Sequence, residues 1–146
     1  YYRFVFFFSM AALPPKPAIH TQHTLFTARY RTKSGVQLQN LPFDHYTTSL
    51  THPADYAATQ RLGGDMRAAG VQAFEYLSAR DPRHGICGAL FSPAAFAARK
   101  PDSQQPWLCE TSAATVSFKP VGGATVTSFA LSVFLTHGRF PRPARR

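Results

Sequence analysis

The hydrophobic positions in the middle of the chain change from a helical period to a strand period. Ala58, Leu62, Met66 and Ala69 recur at the spacing of one face of a helix. Residues 71–77 are then partly apolar on both faces, which is typical of a strand in a covered sheet. The pattern therefore predicts a helix followed directly by a strand.

Residues that favour helix termini flank the helical stripe. Thr51 supplies a capping hydroxyl, and Pro53 is tolerated in a first turn. Asp55 in the first turn and Arg67 in the last turn both match the helix dipole. Gly70 is expected to end the helix in the left-handed conformation. These signals predict a helix that begins near Asp55.

Alternation along the predicted strand assigns its side chains to two faces. Phe74, Tyr76 and Ser78 fall on one face, whereas Glu75 and Leu77 fall on the other. Glu75 is therefore expected to lie on the face opposite Ser78.

The remaining elements are mostly strands. β-branched and aromatic residues, or apolar and polar alternation, predict strands at residues 24–31, 36–38, 86–91, 106–110, 114–118 and 126–134. Residues 13–20 hold three prolines and are predicted to be an extended connector. Residues 41–50 are predicted to be loop or a short helical turn. The fold class is therefore α+β and dominated by strands.

Length and composition favour a globular domain. A chain of 146 residues is expected to form one domain that buries roughly 70% of its unfolded surface. A hydrophobic fraction of 45% argues against intrinsic disorder. The apolar run from Phe4 to Phe8 is far shorter than the roughly 20 residues of a membrane span. We interpret it as the end of a core helix that begins upstream of Tyr1.

The net charge of +9 is concentrated in the two flanks of the chain. All seven acidic residues lie between Asp44 and Glu110, and five basic residues precede and five follow that stretch. Such flanks attract phosphate-bearing partners, namely nucleotides, nucleic acid or anionic membranes. A solvated surface with a basic tail explains the same charge. Charge alone leaves these alternatives open.

The two cysteines, Cys87 and Cys109, are too few and too far apart for a zinc site. Cys87 lies in an apolar run and is expected to be a small buried residue. With neither a metal site nor a disulfide indicated, a reducing cytoplasm is the expected location.

Ser78 and Arg80 are the candidate functional residues. A hydroxyl at the end of a strand, just before a turn, is suited to hydrogen-bond a ribose. An arginine two residues later is suited to bind a phosphate through two parallel bonds. The competing interpretation is local, because serine is also a frequent turn former and an exposed arginine is often only solvated. No Gly-rich phosphate loop and no convincing histidine cluster accompanies the pair.

Several short motifs occur in an order and spacing that resemble the C-terminal half of the RES domain family. They lie within about residues 26–107 and are Asp55-Tyr56, Gln60, Arg67-Ala68-Ala69-Gly70, Tyr76-Leu77-Ser78-Ala79-Arg80 and Ala89-Leu90-Phe91. The resemblance implies an ADP-ribosyltransferase-like split β-sheet core with flanking helices. It implies a partial RES domain at residues 1–135, followed by a basic, disordered tail at residues 136–146.

The resemblance also implies a chemistry. RES proteins are bacterial toxins that consume NAD by phosphorolysis or by ADP-ribosyl transfer, and an antitoxin protein binds and blocks them. By this resemblance NAD is the substrate and Ser78 is a catalytic residue that borders the nicotinamide ribose. Arg80 is its neighbour in the NAD site. NAD and an antitoxin are the expected partners, with no metal and no membrane.

The family is named for an arginine, a glutamate and a serine, and only the serine can be placed, at Ser78. The resemblance puts the other two upstream of Tyr1. The 146 residues are therefore expected to be inactive or incomplete as an enzyme. Two alternatives stay open: a non-catalytic module that binds an antitoxin or a nucleotide, and a basic nucleic-acid-binding domain, which is the least favoured. Salt-dependent binding to DNA would distinguish the last of these.

Overall fold

The structure is a computed structural model that describes residues 17–81 and 83–139. The strands are β1 (Ala18–Thr27), β2 (Gly35–Gln37), β3 (Ala73–Leu77), β4 (Ile86–Leu90), β5 (Ser103–Ser112), β6 (Thr115–Pro120) and β7 (Thr127–Ala130). The α-helices are α1 (Thr47–Leu50) and α2 (Ala57–Ala68), and 3-10 helices lie at Phe43–Tyr46, Pro93–Ala95 and Leu131–Phe134. This combination of strands and helices confirms the α+β class. The described residues form two compact units.

The first unit, here the four-stranded unit, comprises residues 17–27 and 100–139. Its strands are antiparallel in the order β1, β5, β6, β7. All ten residues of β1 pair with β5, from Ala18 opposite Ser112 to Thr27 opposite Ser103. This long ladder joins two segments that are about eighty residues apart in the sequence.

A small aromatic core holds the four-stranded unit together. Its buried members are Cys109, Val116, Phe118 and Phe134, with Trp107, Phe129, Leu131 and Val133 packed against them. Val116 and Phe118 lie two positions apart on β6 and therefore share one face of the sheet. The core thus depends on alternation in β6 and on the 3-10 helix that follows β7.

The second unit, here the three-stranded unit, comprises residues 28–99. Its sheet order is β2, β3, β4, in which β2 is parallel and β4 antiparallel to β3. Leu38, Met66, Ala73 and Ala95 are buried in this unit. The central strand β3 ends at Leu77, so Ser78 lies immediately after a strand that has a neighbour on both sides.

The central helix begins two residues after Asp55, and the expected capping by Thr51 is wrong. The helix begins at Ala57, and its N-cap residue makes no side-chain capping bond. The Thr51 hydroxyl instead donates to the carbonyl oxygen of Thr47 (2.8 Å), because α1 ends there. Asp55 provides the local support, since its Oδ1 accepts from the backbone N–H of Ala57 (3.0 Å).

The expected end of this helix is confirmed. Gly70 has a φ of +76°, the left-handed conformation that glycine adopts without strain. The N–H of Gly70 donates to the carbonyl of Arg67 (3.1 Å), and the N–H of Val71 donates to that of Met66 (2.9 Å). This pair of bonds satisfies the last carbonyl groups of α2 in a Schellman arrangement. Of the predicted apolar stripe, Met66 is buried whereas Ala58 and Ala69 are exposed.

Two glycines near the C-terminal end of α2 are expected to respond oppositely to alanine. A Cβ at Gly64 meets no atom within 4 Å, so Gly64→Ala should raise the free energy of unfolding by about 1 kcal/mol. Gly70→Ala should lower it by about 1–2 kcal/mol, because alanine is strained at a positive φ. Urea unfolding of both variants checks this, and shifts of the same sign would contradict the assignment of the helix end.

Two strand predictions need correction. Residues 24–31 were predicted as a strand after a connector, but β1 is Ala18–Thr27, so His20 and His23 lie on the strand. Residues 18–20 of the predicted connector therefore belong to β1, where they pair with β5. Residues 126–134 are only partly a strand, because Leu131–Phe134 forms a 3-10 helix. The run from Phe4 to Phe8 and the tail residues 140–146 lie outside the described residues.

The other predicted elements are confirmed. Residues 36–38 and 86–91 correspond to β2 and β4, and residues 41–50 contain two short helical turns. At the start of the predicted tail, Thr136 and Arg139 pair across a turn with Gly138 at a φ of +73°. Within the described residues, no helix has the length and apolarity that a bilayer span requires.

Candidate functional site

Ser78 organises the turn that joins β3 to β4. Its Oγ accepts hydrogen bonds from the backbone N–H groups of Arg80 (3.2 Å) and Asp81 (3.1 Å). Its own N–H donates to the carbonyl of Gly85 (2.9 Å), which closes the base of the turn. The local interpretation of Ser78 as a turn former is therefore correct.

In the turn, the Ser78 hydroxyl acts only as an acceptor, so its hydrogen can still be donated to a ligand. A serine hydroxyl has two acceptor lone pairs and one hydrogen, and the two bonds from Arg80 and Asp81 use the lone pairs. Both bonds fix the position of the oxygen, and the residue is half-buried. The hydroxyl is thus an oriented donor at the end of a central strand.

Asp81 holds the other side of the same turn. Its Oδ1 accepts from the N–H of Arg83 (2.9 Å) and its Oδ2 from the N–H of Gly85 (3.2 Å). The Arg83 N–H is the main cause of the lowered pKa of this carboxyl. A Cβ at Gly85 would lie 2.7 Å from Asp81 Oδ2, so a larger residue there would displace this carboxylate oxygen. Asp81 is therefore committed to shaping the turn.

Arg80 connects the turn to the loop that precedes α2. Its Nη2 donates to the carbonyl of Pro53 (2.6 Å) and to the hydroxyl of Tyr56 (3.1 Å). The Tyr56 hydroxyl in turn donates to the same Pro53 carbonyl (2.8 Å). No spacing in the sequence indicates these two partners of Arg80, although Tyr56 belongs to one of the motifs that carry the RES resemblance.

A cavity of about 280 Å³ lies beside this connection. It is lined mainly by apolar side chains from α2 and β3, together with His52, Tyr56 and Thr59. Ala79 and Tyr56 link it to the turn, whereas Ser78 and Arg80 are not among its lining residues. Burial, and then the nearby Cys87, raise the pKa of Tyr76 in its wall. The cavity volume lies just below the range of about 300–1,000 Å³ for ligand sites, so the cavity could hold only part of a nucleotide.

Cys87 is half-buried and Cys109 is buried, and both are free thiols. Cys87 is therefore less enclosed than its apolar neighbours suggested. Among the described residues, no group of three or more His, Cys, Asp or Glu side chains is arranged to hold a metal ion.

Glu75 hydrogen-bonds to residues outside the Ser78 turn. The Tyr30 hydroxyl donates to its Oε1, and the Gln37 and Gln39 amides donate to its Oε2 (3.0 and 2.9 Å). The Tyr30 bond is the main cause of the lowered pKa of Glu75, followed by the Gln39 and Gln37 bonds. These contacts fit the prediction that Glu75 and Ser78 occupy opposite faces of β3.

Because of the Tyr30–Glu75 bond, we expect the free energy of unfolding to fall at both acidic and alkaline pH. The pKa of Glu75 lies below its ordinary value of 4.5. The contribution of ionised Glu75 to folding stability is therefore complete above pH 4.5, and it is lost as the pH falls through the lowered pKa. The same bond raises the pKa of Tyr30 above 10.0. The contribution of protonated Tyr30 to folding stability is therefore complete below pH 10, and it is lost as the pH rises through the raised pKa. Solvent screens both, and about 1 kcal/mol or less is expected.

Urea midpoints measured from pH 3 to pH 11 check this expectation. Tyr30→Phe should reduce both the alkaline change, to which Tyr76 also contributes, and the acidic one, with Tyr46→Phe as a control on a more exposed tyrosine. Identical pH profiles for the parent chain and Tyr30→Phe would show that the bond does not form in solution.

The chain matches the family model described as the RES domain over residues 1–110. That match covers about three quarters of the 146 residues and includes Ser78 and Arg80. The chain belongs to the RES domain family. The match extends further toward Tyr1 than the motif resemblance at residues 26–107, and it ends before β6 and β7. A search of curated proteins gave no match for this RES chain.

Proposed function

We propose that this RES chain binds NAD at the turn between β3 and β4, with the Ser78 hydroxyl directed to the nicotinamide ribose. The observation that carries the proposal is that the turn fixes the Ser78 oxygen with two backbone N–H bonds and leaves its hydrogen to donate. A ribose hydroxyl is a suitable acceptor for such a donor. Ser78 lies within the residues that match the RES family.

Arg80 has a positioning role in this proposal. By holding the Pro53 carbonyl and the Tyr56 hydroxyl, its guanidinium fixes one wall of the cavity beside the turn. The cavity would accept an apolar ring of the ligand, such as nicotinamide or adenine. This arrangement supports contact with NAD through the ribose and one ring.

The reaction proposed for the RES family is cleavage of the N-glycosidic bond of NAD, which releases nicotinamide. Phosphate or a protein group then takes the ADP-ribosyl part. The ribose carbon gains positive charge as the bond breaks, so a nearby carboxylate lowers the barrier. Asp81, the carboxylate of the Ser78 turn, is occupied by two backbone N–H groups. Removing such a stabilising group typically costs about 10²–10³ in rate.

A non-catalytic nucleotide-binding module is the second candidate function. The role of Asp81 in the turn favours it, because moving this carboxylate toward the ribose would break its bonds to the N–H groups of Arg83 and Gly85. In either case, we propose an ADP-ribosyltransferase-like fold and a bacterial cytoplasmic toxin whose protein partner is an antitoxin.

Calorimetric titration of the 146-residue chain with NAD tests the proposal. Ser78→Ala should weaken binding about fivefold to tenfold, since a typical hydrogen bond contributes about 1 kcal/mol and 1.4 kcal/mol corresponds to a factor of about ten. Ser49→Ala, which alters an exposed serine of α1, should leave the affinity unchanged. Chromatography of the same samples with and without phosphate follows nicotinamide release. Binding with release supports the enzyme, binding without release supports the module, and no binding rejects both.

A further inference from the structure

A second candidate site lies in the three-stranded unit, near the edge strand β2. A groove of about 720 Å³ is lined there by residues 30–33, 35–37, 40, 41, 43 and 73–75. Its volume lies within the range of ligand sites in proteins. Neither Ser78 nor Arg80 lines it, although Phe74 lines both this groove and the cavity beside the Ser78 turn.

Glu75 is the fixed acceptor of this groove. A carboxylate has about four lone-pair positions, and the bonds from Tyr30, Gln37 and Gln39 fill three of them. Oε1 keeps one position, because only the Tyr30 hydroxyl donates to it. The Gln37 amide is itself oriented, since its Oε1 accepts from Asn40 Nδ2 (2.9 Å). The network therefore holds the carboxylate in one orientation while leaving it able to accept a further hydrogen bond.

The donors around Glu75 are all neutral. No ion pair of Glu75 occurs among the described residues. A carboxylate without a cationic partner remains free to accept from a ligand hydroxyl. Three oriented neutral donors also keep it ionised near neutral pH, which the lowered pKa of Glu75 reflects.

Two cations line the same groove. Arg31 and Lys33 are exposed and project from the segment that leads into β2. With Glu75 as the carboxylate of the lining, the groove has one more positive than negative charge. A ligand that carries only positive charge is therefore disfavoured. Arginine and lysine instead attract phosphate, which arginine can bind through two parallel hydrogen bonds.

We propose that this groove binds a soluble phosphate ester with free hydroxyl groups, that is, a sugar phosphate. The phosphate group contacts Arg31 and Lys33, and a sugar hydroxyl donates to Glu75 Oε1. Tyr30 and Phe43 in the lining supply ring faces for the sugar. The groove selects the ester because it contains both an anion site and a hydroxyl acceptor.

Titration of the 146-residue chain with ribose 5-phosphate, inorganic phosphate and ribose tests this site. NMR signals of the Gln37 and Gln39 side-chain amides report binding at the groove and not at Ser78. Ribose 5-phosphate should bind at least tenfold more tightly than either inorganic phosphate or ribose. Equal affinity for the ester and inorganic phosphate would overturn the proposal, and so would binding of the ester without a change in these amide signals.

Variants separate the two halves of the groove. Glu75→Gln should abolish the preference for the ester over inorganic phosphate, while Arg31→Ala should weaken binding of both about tenfold. Tyr30→Phe, which loosens the carboxylate but keeps its charge, should reduce the preference partly. Lys119→Ala, a surface cation of the four-stranded unit, controls for general charge. An undiminished preference in both Glu75→Gln and Tyr30→Phe would reject the role of Glu75.

Discussion

Replacing Phe134 with alanine is expected to lower the free energy of unfolding of the four-stranded unit by about 3–5 kcal/mol. Phe134 is only 3% exposed, and it packs with Cys109, Val116 and Phe118. The substitution loses the free energy gained by transferring the ring from water to the core. It also leaves a cavity, because the few neighbouring side chains can move only partly into the vacated space. The loss is large because this unit has only four buried apolar residues in its core cluster.

Phe26→Ala is the matched control for this prediction. Phe26 lies on β1 in the same unit but is 61% exposed, so its truncation should change stability by less than about 1 kcal/mol. Urea unfolding followed by the fluorescence of Trp107, which packs against the core cluster, measures both variants. Similar destabilisation by the two substitutions would contradict the position of Phe134 in the core.

Replacing Arg80 with alanine is expected to destabilise the three-stranded unit by about 2 kcal/mol. Charged donors contribute more than neutral ones, and the Nη2 bonds of Arg80 join the turn to the Pro53–Tyr56 loop. The truncation also leaves the half-buried Pro53 carbonyl with one donor fewer. Arg80→Lys should recover only part of the loss, because lysine lacks the planar fork of arginine.

Tyr56→Phe shows whether the network behaves as one unit. It removes the hydroxyl that accepts from Arg80 and donates to Pro53, with little change in volume. A double-mutant cycle with Arg80→Ala should give a coupling of about 0.5–1.5 kcal/mol. Additive effects of the two substitutions would mean that the Arg80–Tyr56 contact contributes nothing, and thus that Arg80 does not position the cavity wall.

Local signals explain which parts of the fold were predictable. The end of α2 at Gly70 depends on one residue and its preferred φ, so the sequence predicted it correctly. The start of β1 at Ala18 depends on pairing with β5, which lies far away in the sequence. Local proline content therefore predicted a connector where the structure has a strand. The expected capping of α2 by Thr51 also failed, because the Thr51 hydroxyl is used by α1.

In the candidate site, too, local features were predictable from the sequence, whereas contacts between distant residues were not. Strand alternation and a following turn predicted that Ser78 would end a strand and that Glu75 would point elsewhere, since both follow from period-two geometry. The partners of Arg80 are not predictable from spacing, because Pro53 lies 27 residues earlier in the chain. The same holds for Tyr30, which meets Glu75 across 45 residues. These contacts require the folded chain.

The most direct test of the central claim is an NMR titration of the ¹⁵N-labelled chain with NAD. The account predicts concentration-dependent shifts at the backbone amides of Ser78, Arg80 and Asp81, whose N–H groups line or flank the Ser78 oxygen. It predicts that Ser78→Ala suppresses these shifts. Absence of shifts in the turn at millimolar NAD, or shifts confined to the four-stranded unit, would contradict it.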